Sequence, residues 1–419
     1  MDYFNYQGGE LFAEEVSIES LAKEYGTPCF IYSKTALEHN YKAYEKAFDG
    51  HPNLICYAVK ANSNLAILNV LAKLGAGFDI VSGGELDRVI AAGGDPQKIV
   101  FSGLGKTEAE IRKALKAGIK CFNIESEAEL HRINEIAQTQ NTVAPISIRV
   151  NPDIDAGTHP YISTGLNENK FGIPASLALT LYQEAAKMTG VNIIGIDAHI
   201  GSQLTTIGPF LDAIDCLLLL IDQLETEGIS LSHIDIGGGL GVNYGLEEPP
   251  EISDLIKSVK EKFVSRELKI IIEPGRSIAA NAGVFLTRIE YLKNNNYKNF
   301  AVVDGAMNDL IRPALYDAWQ DIITIRRSPK NVLKKYDVVG PICESADFLG
   351  KDRELDVKSG DLLAVRSAGA YGFAMSSNYN SRPRAPEVMV KGPNHYLIRD
   401  RETISDLYRK EYLLPELRN

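Results

Sequence analysis

Short apolar runs recur between residues 54 and 273, separated by longer stretches whose apolar residues are spaced for one face of a helix. The runs are Ile55–Val59, Gly77–Val81, Ile99–Phe101, Cys121–Ile124, Ile146–Val150, Ile193–Ala198, Ile234–Ile236 and Lys269–Ile272. Each is too short for a typical helix, and a continuous apolar run of this length reads as a strand covered on both faces, as in a parallel sheet. Ala66–Ala72 and Glu108–Ala117 read as two of the intervening helices, and Thr107 and Ser126 offer N-cap side chains ahead of Glu108 and Glu127. Strand and helix alternating about eight times predicts a closed parallel (β/α)8 barrel, with a doubly wound open sheet as the rival.

After about residue 280 the texture changes. Val284–Tyr291, Phe300–Val303, Tyr336–Val339, Asp361–Val365 and Glu387–Val390 look like strands with turn residues between them and no regular helices. This predicts a mostly antiparallel β domain over 280–419, following a barrel over 29–279. Residues 1–28 fit neither pattern and are expected to pack with the β domain, adding a strand to it.

Polar residues gather where the barrel strands end: Lys60, Asp79 and Ser82, Ser102, Glu125 and Ser126, Arg149 and Asn151, His199, Gly237-Gly238-Gly239 and Glu273-Pro274-Gly275-Arg276. In a parallel barrel these ends share one face, where active sites sit. A lysine held against apolar surroundings loses ammonium solvation, so its amine becomes a nucleophile suited to a carbonyl cofactor. Alone, such a lysine more often reaches into water. The glycines after the seventh strand let bare backbone approach a phosphate, or simply make a tight turn. His199 alone reads more readily as a packed core residue than as a ring-stacking partner, and Ser202 stands within reach of a phosphate. In the β domain Arg312 and Tyr316 are four apart, so one helical turn would put both on one face to hold a carboxylate. A solvated turn fits the same spacing. Cys343-Glu344 follows a Gly340-Pro341 turn, and Tyr371 stands between small residues, where it would ordinarily pack.

The formal charge of −11 disfavours nucleic acid as a partner, because phosphate binding needs clustered Lys and Arg. The longest purely apolar stretch, Cys216–Ile221, is far short of a membrane span. The N-terminus shows no export signal, and five scattered cysteines without a CxxC pair suit a reducing cytoplasm rather than a disulfide framework or a metal site.

Taken together, Tyr57-Ala58-Val59-Lys60-Ala61-Asn62, Gly77–Ser82, His199-Ile200-Gly201-Ser202, Gly237-Gly238-Gly239 and Glu273-Pro274-Gly275-Arg276 resemble the pyridoxal-phosphate decarboxylases of the alanine-racemase-like fold. Further blocks resemble the diaminopimelate decarboxylase branch of that family: residues 158–165, Asn169-Lys170-Phe171-Gly172, Asp309–Tyr316, Cys343–Asp347 and Gly369-Ala370-Tyr371-Gly372. The blocks occur in order over nearly the whole chain.

The resemblance implies pyridoxal 5'-phosphate as cofactor, with Lys60 as its Schiff-base lysine, Glu273 at the pyridine nitrogen and His199 against the ring. Ser202, the glycines at 237–239 (Gly238 and Gly239 foremost), Gly275 and Arg276 would hold the phosphate with Tyr371 nearby, and Asp79 and Ser82 would line the pocket. Arg276, Arg312, Tyr316, Glu344 and Tyr371 would bind the substrate, and Cys343 is the candidate proton donor. It also implies a homodimer in which Cys343 and Glu344 serve the partner's site. Charge agrees with meso-diaminopimelate: its distal end carries a carboxylate, suited to two arginines and a tyrosine, and an ammonium, suited to Glu344. Ornithine, arginine and carboxynorspermidine remain alternative substrates on the same fold. A non-catalytic cofactor carrier and a phosphate-binding barrel enzyme without pyridoxal are the other readings.

Overall fold

In the computed structural model, residues 2–154, 170–245, 247–327 and 332–415 are described. The block 158–165 and Asn169 lie outside the described residues. The chain divides into two compact units, Leu37–Ala280 and the combination of Met1–Ala36 with Asn281–Asn419.

Leu37–Ala280 is a closed barrel of eight parallel strands: β1 Asn53–Ala58, β2 Gly77–Ile80, β3 Ile99–Phe101, β4 Cys121–Ile124, β5 Ala144–Asn151, β6 Val191–Asp197, β7 His233–Asp235 and β8 Lys269–Ile272. Each pairs with the next, and β8 returns to β1 with Ile270 opposite Asn53. Closure rules out the open sheet. The strands are buried almost throughout, and covering a Phe such as Phe78 or Phe122 contributes roughly 2–3 kcal/mol over leaving it in water. Helices start where side-chain acceptors allow: Asn64, Ser82 and Ser126 each accept a backbone N–H of the first turn that follows. Thr107 and Glu110 form a reciprocal capping box. Two of the polar strand ends, Ser82 and Ser126, therefore serve as helix caps.

The second unit is built on a nine-stranded sheet. Its main path runs Phe348–Leu355, Lys334–Val339, Asn299–Val303, Gly283–Asn294, Cys29–Ser33, Glu387–Lys391 and Asn394–Arg399. Leu362–Val365 pairs with both Gly283–Asn294 and Ile322–Thr324. Two pairs are parallel, Asn299–Val303 with Lys334–Val339 and Cys29–Ser33 with Glu387–Lys391; the other pairs are antiparallel. Cys29–Ser33, buried at every residue, belongs to this sheet, so the first unit boundary falls after Ala36 rather than after residue 28. The preceding strands Phe4–Gln7, Glu10–Ala13 and Val16–Ser17 do not extend that sheet. They form their own three-stranded antiparallel sheet, whose Phe4, Leu11 and Val16 pack against Ile31, Val284, Leu286 and Val388. Phe348–Leu355 and Asn394–Arg399 carry no apolar run because both are edge strands, rich in charged and exposed residues.

Candidate active site

Lys60 sits in the single 3-10 turn Val59–Ala61 that follows β1. Tyr57 donates to the Asn62 carbonyl at 3.2 Å, and Asn62 in turn accepts the Asn64 N–H at 3.1 Å, which fixes the turn at both ends. Lys60 Nζ lies 2.5 Å from Asp79 Oδ2 at the end of β2. Asp79 is fully buried and the lysine side chain about a third exposed, so the amine stands at the boundary between the barrel interior and the open rim.

Opposite charges alone do not describe the barrel's end. Asp197 closes β6, Asp235 closes β7 and Glu273 follows β8, and their carboxylate oxygens lie within 4.8 Å of one another, all buried. Burial raises the pKa of all three, and the neighbouring acids add to it: Asp235 is pushed up to about 7, and Asp197 and Glu273 well above the carboxylate range. Asp235 Oδ1 accepts the Gly237 N–H at 2.9 Å. Ser102 donates to Glu273 Oε1 at 3.2 Å and accepts from Asn123 at 3.1 Å. Arg149 supplies positive charge, 2.9 Å from Glu125 and 4.0 Å from Asp197.

His199 Nδ1 accepts the Gly238 N–H at 3.2 Å, which leaves the ring proton on Nε2. Burial, with Arg149 and Lys60 as positive neighbours, holds the imidazole well below its usual pKa, so it is a neutral flat ring. The glycines are required by close approach. A Cβ on Gly238 would sit 2.2 Å from the Glu273 carbonyl oxygen, and one on Gly239, whose φ is +114°, would sit 2.5 Å from that of Gly201. Arg276 opens the short helix Arg276–Ala279, is buried, and donates to the Tyr244 hydroxyl and, at 3.0 Å, to Ser202 Oγ.

This donor set fits pyridoxal phosphate: an amine on a carboxylate, buried acids suited to a protonated ring nitrogen, a neutral aromatic ring, and bare backbone where a phosphate could lie. Lys60, Asp79, His199, Ser202, Gly238, Gly239, Glu273, Gly275 and Arg276 all belong to the barrel unit. Asp197, Asp235, Asn123 and Tyr244 were not anticipated as site residues. A charged residue inside an otherwise apolar strand was the available signal for the two aspartates.

In the other unit, Arg312 begins the helix Arg312–Tyr316 and is buried. Its guanidinium carbon lies 4.9 Å from the centre of the Tyr316 ring and 5.6 Å from that of Tyr371. Tyr371 adopts φ +55°, a left-handed conformation that a bulky residue reaches only under constraint. Cys343 and Glu344 are exposed on their own chain. The loop that carries them is anchored by Asp347, which accepts the Met307 N–H at 2.7 Å and the Ile342 N–H at 2.6 Å.

Residues 34–280 match the family model described as pyridoxal-dependent decarboxylase, pyridoxal binding domain. The chain is 59% identical over 418 residues to a diaminopimelate decarboxylase of Vibrio cholerae, covering 99% of this chain and 100% of that one. A diaminopimelate decarboxylase of Pseudomonas fluorescens is 58% identical with the same coverage. Among solved structures, diaminopimelate decarboxylase from M. jannaschii has a TM-score of 0.94 at 38% identity, covering 99% of both chains. That from Helicobacter pylori complexed with L-lysine has a TM-score of 0.91 at 44% identity, covering 94% of this chain and 98% of that one.

Proposed function

Because the chain belongs to the diaminopimelate decarboxylases, within the pyridoxal-dependent decarboxylases, we propose that Lys60, Glu273 and the glycines at 237–239 hold the cofactor on which its activity depends. The reaction is release of carbon dioxide from meso-2,6-diaminopimelate to give L-lysine, the last step of lysine biosynthesis. When bound, pyridoxal phosphate supplies a ring that accepts the electrons left behind by the departing carboxylate.

The residues of the chain divide the remaining work. Asp79 Oδ2 holds Lys60 Nζ and is a base within reach of its proton, which the amine must shed before it can attack a carbonyl. Glu273, close to the buried Asp235 and Asp197, would hold the ring nitrogen of the cofactor and favour a proton on it. His199 would lie against the ring as a neutral imidazole, and Ser202, Gly238, Gly239 and the Gly275-Arg276 backbone would hold the phosphate. Arg312 and Tyr316 receive the distal carboxylate of the substrate, and Glu344 its ammonium. Cys343 Sγ hands a proton to the carbon that has lost its carboxylate. Because Cys343 and Glu344 project from an exposed loop, we assign them to the site of a second copy in a homodimer. Five cysteines, all thiols, fit a cytoplasmic enzyme.

The observation that carries the reading is the junction of Lys60 with Asp79 at the barrel rim, backed by Glu273 among buried acids. Arg312 argues against a diamine precursor such as ornithine, whose distal end bears only an ammonium and would be repelled. The test is incubation of the purified protein with pyridoxal phosphate and each of meso-diaminopimelate, ornithine and arginine. Lysine and carbon dioxide should form from the first alone; comparable turnover of ornithine would reject the substrate assignment.

A further inference from the structure

Two adjacent residues hold the two adjacent residues of the exposed loop. Tyr379 Oη donates to Glu344 Oε1 at 2.5 Å, and Asn380 Oδ1 accepts the Cys343 N–H at 3.0 Å. Both lie in the short turn Tyr379–Ser381, where Asn380 and Ser381 take φ values of +55° and +54°. Asparagine visits that left-handed region more readily than other residues with a Cβ, and a serine there must be held by its surroundings.

The surroundings do hold it. The Ser377 N–H donates to the Asn308 carbonyl at 2.8 Å, and Asn308 Nδ2 donates back to the Ser377 carbonyl at 3.3 Å. Asn378 Nδ2 donates to Glu402 at 2.7 Å and to the Arg382 carbonyl at 3.0 Å, and Arg382 donates to the Asp304 carbonyl at 2.7 Å. Asp347 ties the Cys343 loop to Met307 in the same neighbourhood. Segments 304–309, 340–347 and 377–382 therefore form one frame, within which Tyr379 bonds the Glu344 side chain and Asn380 the Cys343 N–H.

We propose that Tyr379 and Asn380 are positioning residues for the decarboxylation: Tyr379 orients the Glu344 carboxylate toward the substrate's distal ammonium, and Asn380 sets the backbone that aims the Cys343 thiol. This rests on the assignment of Glu344 and Cys343 to the substrate. The hydroxyl of Tyr379 engages Oε1 and leaves Oε2 of Glu344 to receive an ammonium. The same hydrogen bond raises the pKa of the Tyr379 phenol, so it stays protonated and remains the donor. A phenylalanine would fill the same space without holding the carboxylate.

The experiment is steady-state kinetics of the full-length, cofactor-loaded enzyme on meso-diaminopimelate, with melting temperature and oligomeric state followed alongside. Tyr379→Phe should raise KM about tenfold and keep kcat within about twofold, as expected for one lost hydrogen bond to a charged group. Asn380→Gly keeps the left-handed backbone but removes the acceptor, and should lower kcat about tenfold with little change in KM. Asn380→Asp, which restores an acceptor oxygen, should recover most of that loss. This opposite split between neighbours is not what a general loosening of the loop would produce. Wild-type kinetics in Tyr379→Phe and Asn380→Gly, or equal changes in both parameters accompanied by a lower melting temperature, would overturn the proposal. Glu344→Gln separates the two levels. If it leaves KM unchanged, the assignment of Glu344 itself fails. If it raises KM while Tyr379→Phe does not, only the positioning role fails.

Discussion

Asp235, at the end of β7, and Glu273, just past the end of neighbouring β8, hold buried carboxylate oxygens within 4.8 Å of each other. Two buried carboxylates this close repel each other when both are ionised, so the pair favours keeping a proton. Burial is the main cause: it raises both groups, Asp79 nearby raises both further, and Asp235 and Asp197 add to the rise of Glu273. The direct ion pairs of the two nearby cations go elsewhere, Lys60 to Asp79 and Arg149 to Glu125 and Asp197.

That arrangement makes the cofactor-free protein sensitive to pH with a definite sign. A carboxyl whose folded pKa lies above its unfolded value binds more protons in the folded state between the two. Its contribution to stability is therefore lost as pH rises from about 4, the unfolded value, to about 7, the value for Asp235. Asp235→Asn removes the ionisation and keeps an oxygen for the Gly237 N–H. The variant should gain in melting temperature relative to wild type between pH 5 and pH 8. A difference that stays constant or shrinks over that range would show that Asp235 does not hold its proton in the folded protein.

Gly238 tests the backbone cradle. An alanine Cβ there would stand 2.2 Å from the Glu273 carbonyl oxygen, a contact that only backbone movement can relieve. Gly238→Ala should weaken cofactor binding tenfold or more and displace Glu273 with it. Titration of the cofactor-free variant with pyridoxal phosphate measures the first effect, and the absorbance of the bound cofactor reports the second. Unchanged affinity would mean that the glycine serves only the turn.

Much of the barrel was legible because a strand covered on both faces leaves a continuous apolar run, as in Ile146–Val150 and Lys269–Ile272. The edge strands Phe348–Leu355 and Asn394–Arg399 were not, since one side of each meets water and their charged residues erase the pattern. The site divides in the same way. Lys60, His199 and Glu273 stand just beyond apolar runs, where a polar residue is conspicuous. Asp197 and Asp235 sit within such runs and look like interruptions until the barrel brings them together. Tyr244 meets Arg276 from a distant loop, and Tyr379 meets Glu344 across 35 positions. No local spacing encodes either contact.

Arg312 should not tolerate lysine. Its planar guanidinium lies over the rings of Tyr316 and Tyr371, a stacking that a compact ammonium cannot reproduce, and a lysine cannot bind a carboxylate in the same two-pronged manner. Arg312→Lys should raise KM for meso-diaminopimelate at least tenfold while leaving the melting temperature within a few degrees. A KM within twofold of wild type would remove Arg312 from the substrate's distal end.

Lys60→Ala is the most direct test of the barrel rim. The substitution removes the amine that Asp79 holds and leaves a small side chain on a turn already fixed by Tyr57 and Asn62, so the fold should persist. Turnover should fall below detection, and the absorbance of lysine-linked pyridoxal phosphate should vanish, although some cofactor can still bind through its phosphate. Asp79→Asn should have a weaker effect, lowering kcat by about ten- to a hundredfold through loss of the base beside the amine. The two variants together distinguish a covalent anchor from a mere counter-ion. If Lys60→Ala retained substantial turnover while Asp79→Asn did not, the lysine would be a partner of the aspartate and the anchor would have to be sought elsewhere.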